Sequence, residues 1–156
     1  MRRVAAALSF ATLATAGCHN SADLIDTARP ALRSVLELRT RQMRGDTMQL
    51  TVTLGSGPTT SLGSLTGEVL RAANWRFVSC DAAQGTPLLA CKEHETGVKV
   101  AAAWPAGTNA GALLTLTFVR TTPSATPGWQ LALQEAHGVS GHSLADSLDV
   151  RREVTP

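Results

Sequence analysis

The segment 48–54 constrains the fold of this chain most. Met48, Leu50, Val52 and Leu54 alternate with Gln49, Thr51 and Thr53, and a two-residue period places the apolar set on one face of a β-strand and the polar set on the other. Such a strand is stable only inside a sheet whose apolar face is covered by a second layer. Partner strands are at hand. Residues 75–80, 88–95, 98–104 and 112–121 have strand composition and are separated by loops containing Gly or Pro, and 130–136 adds a further candidate.

The covering layer is expected to be helical. Leu24, Ile25, Ala28, Leu32, Val35 and Leu36 recur at three- and four-residue steps, the spacing of one helix face, with Pro30 kinking or restarting the helix. Residues 36–41 also alternate, and read either as the end of this helix or as a strand joined to 48–54 through Gly45-Asp46. A short helix over 64–73 would turn Leu65, Val69, Leu70 and Ala73 inward and end at Asn74. This order predicts an α+β fold, an antiparallel meander of about five to six strands packed by one or two helices. The 156 residues, 44% hydrophobic and 17% charged, suffice for a single core and carry too little charge for disorder. The domain is expected over 22–137. Residues 138–156 are expected as a polar tail, or as a short helix capped by Ser143 and carrying Leu144 and Leu148.

The N-terminus has three parts: Arg2 and Arg3, an uncharged run over 4–16, and small residues before Cys18. Crossing a bilayer takes about 20 apolar residues, so the run fits the core of a cleavable signal. Ala16, Gly17 and Cys18 resemble the lipobox of bacterial lipoproteins, with Thr15 where that motif usually carries Leu. The resemblance covers residues 1–17 and Cys18 only. It implies cleavage before Cys18 and acyl chains on that residue as the mature N-terminus. Because His19 rather than Asp follows, it also implies the outer membrane of a diderm, or the outer face of the plasma membrane of a monoderm. Residues 18–21 would be a short tether. The alternative is plain secretion, since Ala14-Thr15-Ala16 also fits an ordinary cleavage site before Gly17. Cysteine arithmetic favours the lipid: Cys18, Cys80 and Cys91 make an odd number, and acylation removes the leftover thiol.

Cleavage would also remove Arg2 and Arg3, lowering Lys+Arg from 14 to 12 against 12 Asp+Glu. A neutral mature chain argues against nucleic-acid binding. Cys80 ends one expected strand and Cys91 lies in the next, so a hairpin would bring their Cβ atoms within the roughly 4 Å of a disulfide. A redox role would need a low-pKa thiolate of the Cys-x-x-Cys kind, which this spacing lacks.

Other chemistry is weakly signalled. His94 points away from Glu93 and Glu95 if it lies in a strand, and His137 and His142 are five apart, the wrong step for a zinc helix. The types Ser140, His137 and Asp146 suit a hydrolase but have no nucleophile-elbow spacing. No phosphate loop or dinucleotide glycine pattern occurs, so no catalytic, metal or cofactor residue is assigned. Arg29, Arg33, Arg39, Arg41 and Arg44 form the densest basic stretch, read as a solvated face or as a contact to anionic headgroups or cell-wall polymer. Arg44-Gly45-Asp46 is first a turn. Trp75, Trp104 and Trp129 are expected as core anchors, Trp75 beside Phe77. The expected role is non-enzymatic: an envelope lipoprotein whose Thr-rich strand faces are free for a protein or cell-wall partner. The alternatives are an inhibitor or immunity protein probing an extracellular hydrolase with the 105–111 loop, and an uncharacterised hydrolase.

Overall fold

The computed structural model describes residues 33–57, 61–71, 73–83, 88–123 and 128–154. The strands among them belong to one compact unit, Ala31–Pro156. In chain order they are β1 (Ser34–Gln42), β2 (Thr47–Leu54), β3 (Leu62–Leu70), β4 (Trp75–Ala82), β5 (Leu88–His94), β6 (Gly97–Thr108), β7 (Gly111–Arg120), β8 (Gln130–Gly138) and β9 (Leu148–Val154). One 3-10 turn, Ala145–Ser147, precedes β9. The α+β expectation is overturned. Among the described residues there is no α-helix, and the layer that covers the first sheet is a second sheet. The helix expected from Ala22 onward falls mostly outside the described residues, as does Cys18; its last residues, Val35 and Leu36, lie in β1.

One sheet has the order β4-β7-β2-β1-β9 and the other β5-β6-β3-β8. Only β1–β2 and β5–β6 are hairpins within a sheet; every other connection carries the chain across to the opposite sheet. The meander is therefore replaced by a sheet-switching sandwich. Pairing is antiparallel apart from β9, which runs parallel to β1 with Leu148 opposite Ser34 and Val150 opposite Leu36. Thus the last residues, expected as tail or helix, complete the edge of the larger sheet. Residues 105–108, expected in a loop, prolong β6.

The misread helix at 64–73 has a physical cause. Within β3 the register shift at Leu62/Ser64 leaves Gly63 as an extra residue and shifts the phase of the pleat, whereas the shift at Thr66/Gly67 places its extra residue, Gln134, on β8. Buried positions fall at Leu62, Leu65, Gly67 and Val69, and because Gly67 has no side chain the buried apolar side chains are spaced by three and four and imitate a helix face. Gly63 sits at the first bulge, where a Cβ would come 2.8 Å from the Val139 amide nitrogen.

The core lies between the sheets. Leu36, Leu38, Leu50, Val52, Leu114, Leu116 and Phe118 enter from the larger sheet, and Leu62, Leu65, Val69, Val98 and Val100 from the smaller. All three tryptophans are buried. Trp129, just before β8, has its ring centroid 4.5 Å from Phe118 and 5.5 Å from Trp75. Phe77 takes Phe118 as its ring partner at 5.7 Å. The Arg120 guanidinium lies 5.9 Å from the Trp75 centroid, closing this end with a cation–π contact.

Cys80 and Cys91 form a disulfide with Cα atoms 6.3 Å apart, but not through a hairpin. Cys80 lies on the edge strand β4 of one sheet and Cys91 on the edge strand β5 of the other. The bond therefore staples the two sheets together along one side of the sandwich. On the opposite side β8 and β9 flank a groove of about 460 Å³ lined by Trp129, Gln130, Leu131, Val150 and Arg151.

Candidate functional site

The strand registers decide what each outer face displays. On the smaller sheet, β5, β6, β3 and β8 align Leu88, Ala103, Ser64 and His137 in one rung. The next rung is Ala90, Ala101, Thr66 and Glu135, and the one after it Lys92, Lys99, Glu68 and Ala132. Val98, Val100 and Ala102 alternate inward and are buried, so this set points out. The centre of the face carries little more than methyl and hydroxyl groups. A shallow depression of about 290 Å³ there is lined by Thr66, Ala90, Lys92, Lys99, Ala101 and Gln134, among others. Small side chains make a flat surface that a partner can approach closely with little rotamer entropy to lose.

The two ends of this face differ. At one end Leu88 is 76% exposed, Val139 is also largely exposed, and Pro105 and Val139 line a hollow of about 320 Å³ with Ser64 and His137. At the other end Lys92 and Lys99 are direct cross-strand partners, a like-charge pairing that sheets disfavour. Beside them His94 reaches over the side-chain-free Gly97 to Glu68: its Nε2 is 2.9 Å from Oε1, off the line of a hydrogen bond. Thr96 Oγ1 donates to the same carboxylate oxygen at 3.2 Å. Arg71 pairs with Glu93 nearby.

The larger sheet's outer face is built from Thr47, Gln49, Thr51 and Thr53 of β2 and Thr115 and Thr117 of β7, with Thr51 and Thr115 hydroxyls 3.5 Å apart. Three arginines on it are paired locally: Arg39 with Glu37 at 2.8 Å, Arg151 with Asp149 at 2.9 Å, and Arg120 with Asp46 at 2.8 Å. These are the Thr-rich faces on which a partner was expected.

The hydrolase grouping does not assemble. His137 Nδ1 is 3.3 Å from the Gly141 carbonyl oxygen, and Ser140 Oγ is instead 2.5 Å from His142 Nδ1. Both members of that pair are exposed on a reverse turn, and among the described residues Asp146 makes no hydrogen bond or ion pair with either histidine. The turn itself is set by backbone: Gly138 donates to the His142 carbonyl at 2.9 Å, and the His142 ring stands so close over Gly138 that a Cβ would lie 2.9 Å from its Nε2. Among the described residues no three His, Cys, Asp or Glu side chains cluster as metal ligands would.

No family profile and no curated protein matches this chain. Solved structures do. A non-cellulosomal cohesin from the archaeon Archaeoglobus fulgidus aligns with a TM-score of 0.60 at 16% identity, over 80% of this chain and 92% of the cohesin. The second type II cohesin module of the adaptor scaffoldin ScaA from Acetivibrio cellulolyticus gives 0.61 at 9% identity, over 78% and 95%. A type II cohesin–X-dockerin complex from the same organism gives 0.61 at 7%, over 77% and 96%. The fold is cohesin-like. At these identities the likeness is one of architecture.

The residues of the small-side-chain face were not singled out in the sequence. Alanine carries no chemical signal of its own, and the face exists only because β5, β6, β3 and β8 come together across sheet-switching connections. The one local trace is at 101 and 103, where β6 places alanines at the outward positions that β2 and β7 fill with threonine.

Proposed function

We propose that this domain is a non-catalytic protein-docking module of the bacterial envelope, and that it binds its partner on the outer face of the β5-β6-β3-β8 sheet. The observation that carries the reading is that face: a flat centre of Ala90, Ala101, Ala103, Ser64 and Thr66 between an exposed Leu88 and the facing Lys92/Lys99 pair. A protein surface offering an apolar side chain to the Leu88 end and carboxylates to the lysine end would complement it. Support also comes from the cohesin-like architecture, since one similar structure is a complex of a cohesin with an X-dockerin. The disulfide fits an oxidising compartment outside the cytoplasm. Within this reading the module is tethered by a lipid on Cys18, which concentrates it at a membrane surface.

Two measurements test it. Capture from envelope extract with tagged protein should yield a partner that is lost with Ala101→Arg and kept with Thr115→Arg; loss with the second variant and retention with the first contradict the assignment. Mass spectrometry of the mature N-terminus should show acylated Cys18, with Cys18→Ser released from the membrane fraction. An unmodified Cys18 or a start at Gly17 removes the tether while leaving the docking face to its own test.

A further inference from the structure

The end of the larger sheet beside the β1–β2 turn concentrates positive charge that the molecule does not neutralise. Among the described side chains, Arg41, Arg44, Arg76 and Arg120 lie at this end with one carboxylate, Asp46, and that carboxylate is taken by Arg120, whose Nη2 is 2.8 Å from its Oδ1. Among the described residues no acid pairs with Arg41, Arg44 or Arg76. Arg39 and Arg151, elsewhere on the same face, each have an acidic neighbour two residues away. The free arginines also frame a shape. A groove of about 760 Å³ runs between Arg41 and Arg44 over Thr47, Gln49 and Thr117, and Arg41, Gln49 and Thr117 form one rung across β1, β2 and β7. The neighbouring rung, Thr47, Val119 and Arg76, brings the third guanidinium into line.

We infer that this groove binds a segment of acidic polysaccharide. Guanidinium groups recognise carboxylate oxygens through paired N–H donors, and the amide and hydroxyls of Gln49, Thr47 and Thr117 between them match the hydroxyls of sugar rings. Met43, 41% exposed, lines the same groove and offers an apolar side chain on which the C–H face of a sugar ring can lie; attachment to an anionic lipid surface through these arginines is the rival that the vesicle arm of the test addresses. The site lies on the opposite sheet from the proposed docking face, so one domain would hold a protein on one side and a surface polymer on the other.

The intact protein titrated with polygalacturonate at low salt should bind, with neutral dextran giving no signal. Arg41→Gln with Arg44→Gln should weaken binding tenfold or more, while Arg151→Gln on the same face should stay within twofold of the parent. Thr117→Asp, which keeps every arginine but sets a carboxylate in the groove, should weaken binding at least as much. Binding should also fall steeply as salt rises. Equal affinity in the double variant, loss with Arg151→Gln, or binding to phosphatidylglycerol vesicles with none to polygalacturonate would each overturn the inference.

Discussion

The two outer faces of this sandwich are made by the same strand geometry and do opposite things with it. On the β4-β7-β2-β1-β9 sheet the outward positions at the centre hold Thr and Gln, with charges that, among the described residues, are paired locally at Arg39 and Arg151 and unpaired at Arg41 and Arg76. On the β5-β6-β3-β8 sheet the same positions hold Ala, Ser and Thr at the centre, with an exposed leucine at one end and two facing lysines at the other. Hydrophobicity alone does not distinguish a docking surface from ordinary surface. The informative difference is that the second face carries Ala90, Ala101 and Ala103 at positions where the first keeps the hydroxyls of Thr51, Thr115 and Thr117. The two long sides of the sandwich differ as well: β4 and β5 are tied by a disulfide, whereas β8 and β9 flank an open groove. The tied side borders the proposed docking face.

The largest effect should come from what both faces share. Phe118 is fully buried and carries Trp129 on its ring, so Phe118→Ala should cost about 3–5 kcal/mol in chemical denaturation. It should unfold both sheets in a single transition; separate transitions would break the picture of one core supporting two faces. Next in size is the staple. Replacing Cys80 and Cys91 by Ser together should cost about 2–3 kcal/mol, from the loop that the bond closes. Hydrogen exchange should quicken first in β4 and β5 and leave the β1–β2 hairpin as protected as before. Uniform loosening would mean that the disulfide braces the whole domain rather than the edge of the docking face.

Sequence periodicity exposed much of this, and its failures follow a pattern. Segment 48–54 reads as β2 because its alternation is uninterrupted, and β4 to β8 follow from composition between breakers. β3 is hidden because one bulge at Gly63 rephases it and Gly67 leaves an inward position without a side chain; Gly67, costing about 1 kcal/mol in a helix interior, is the available warning. β1 was legible only as an ambiguity, which pairing of Leu36 with Leu54 and Leu38 with Val52 resolves. The meander failed for a different reason. Nothing local in a strand records which of two sheets it joins, so Cys80 and Cys91 looked like hairpin neighbours and are edge-to-edge partners instead. The proposed docking face is invisible by the same logic, being assembled from four strands that are mostly distant in sequence and marked chiefly by small residues.

Smaller effects sharpen the contrast between the faces. Arg120→Gln removes both the Asp46 pair and the contact over Trp75, and should lower stability by about 1 kcal/mol without changing partner binding, as thermal denaturation and a binding isotherm would show. Glu37→Gln, in a half-buried pair with exposed Arg39, should shift stability by no more than about 0.5 kcal/mol. A loss of several times that would mean that the solvated face is a structural network.

The central claim is that the outer face of β5-β6-β3-β8 is the side that meets a protein. Ala101 lies at its centre and Thr115 at the centre of the opposite face, so an arginine at each adds the same side chain to two outward strand positions of one core, the first exposed and the second half-buried. With a partner identified by capture, the affinity of Ala101→Arg should fall at least a hundredfold and that of Thr115→Arg should stay within threefold of the parent, provided both fold with the parent's circular dichroism. Unchanged affinity for Ala101→Arg, or a fall confined to Thr115→Arg, would contradict the account.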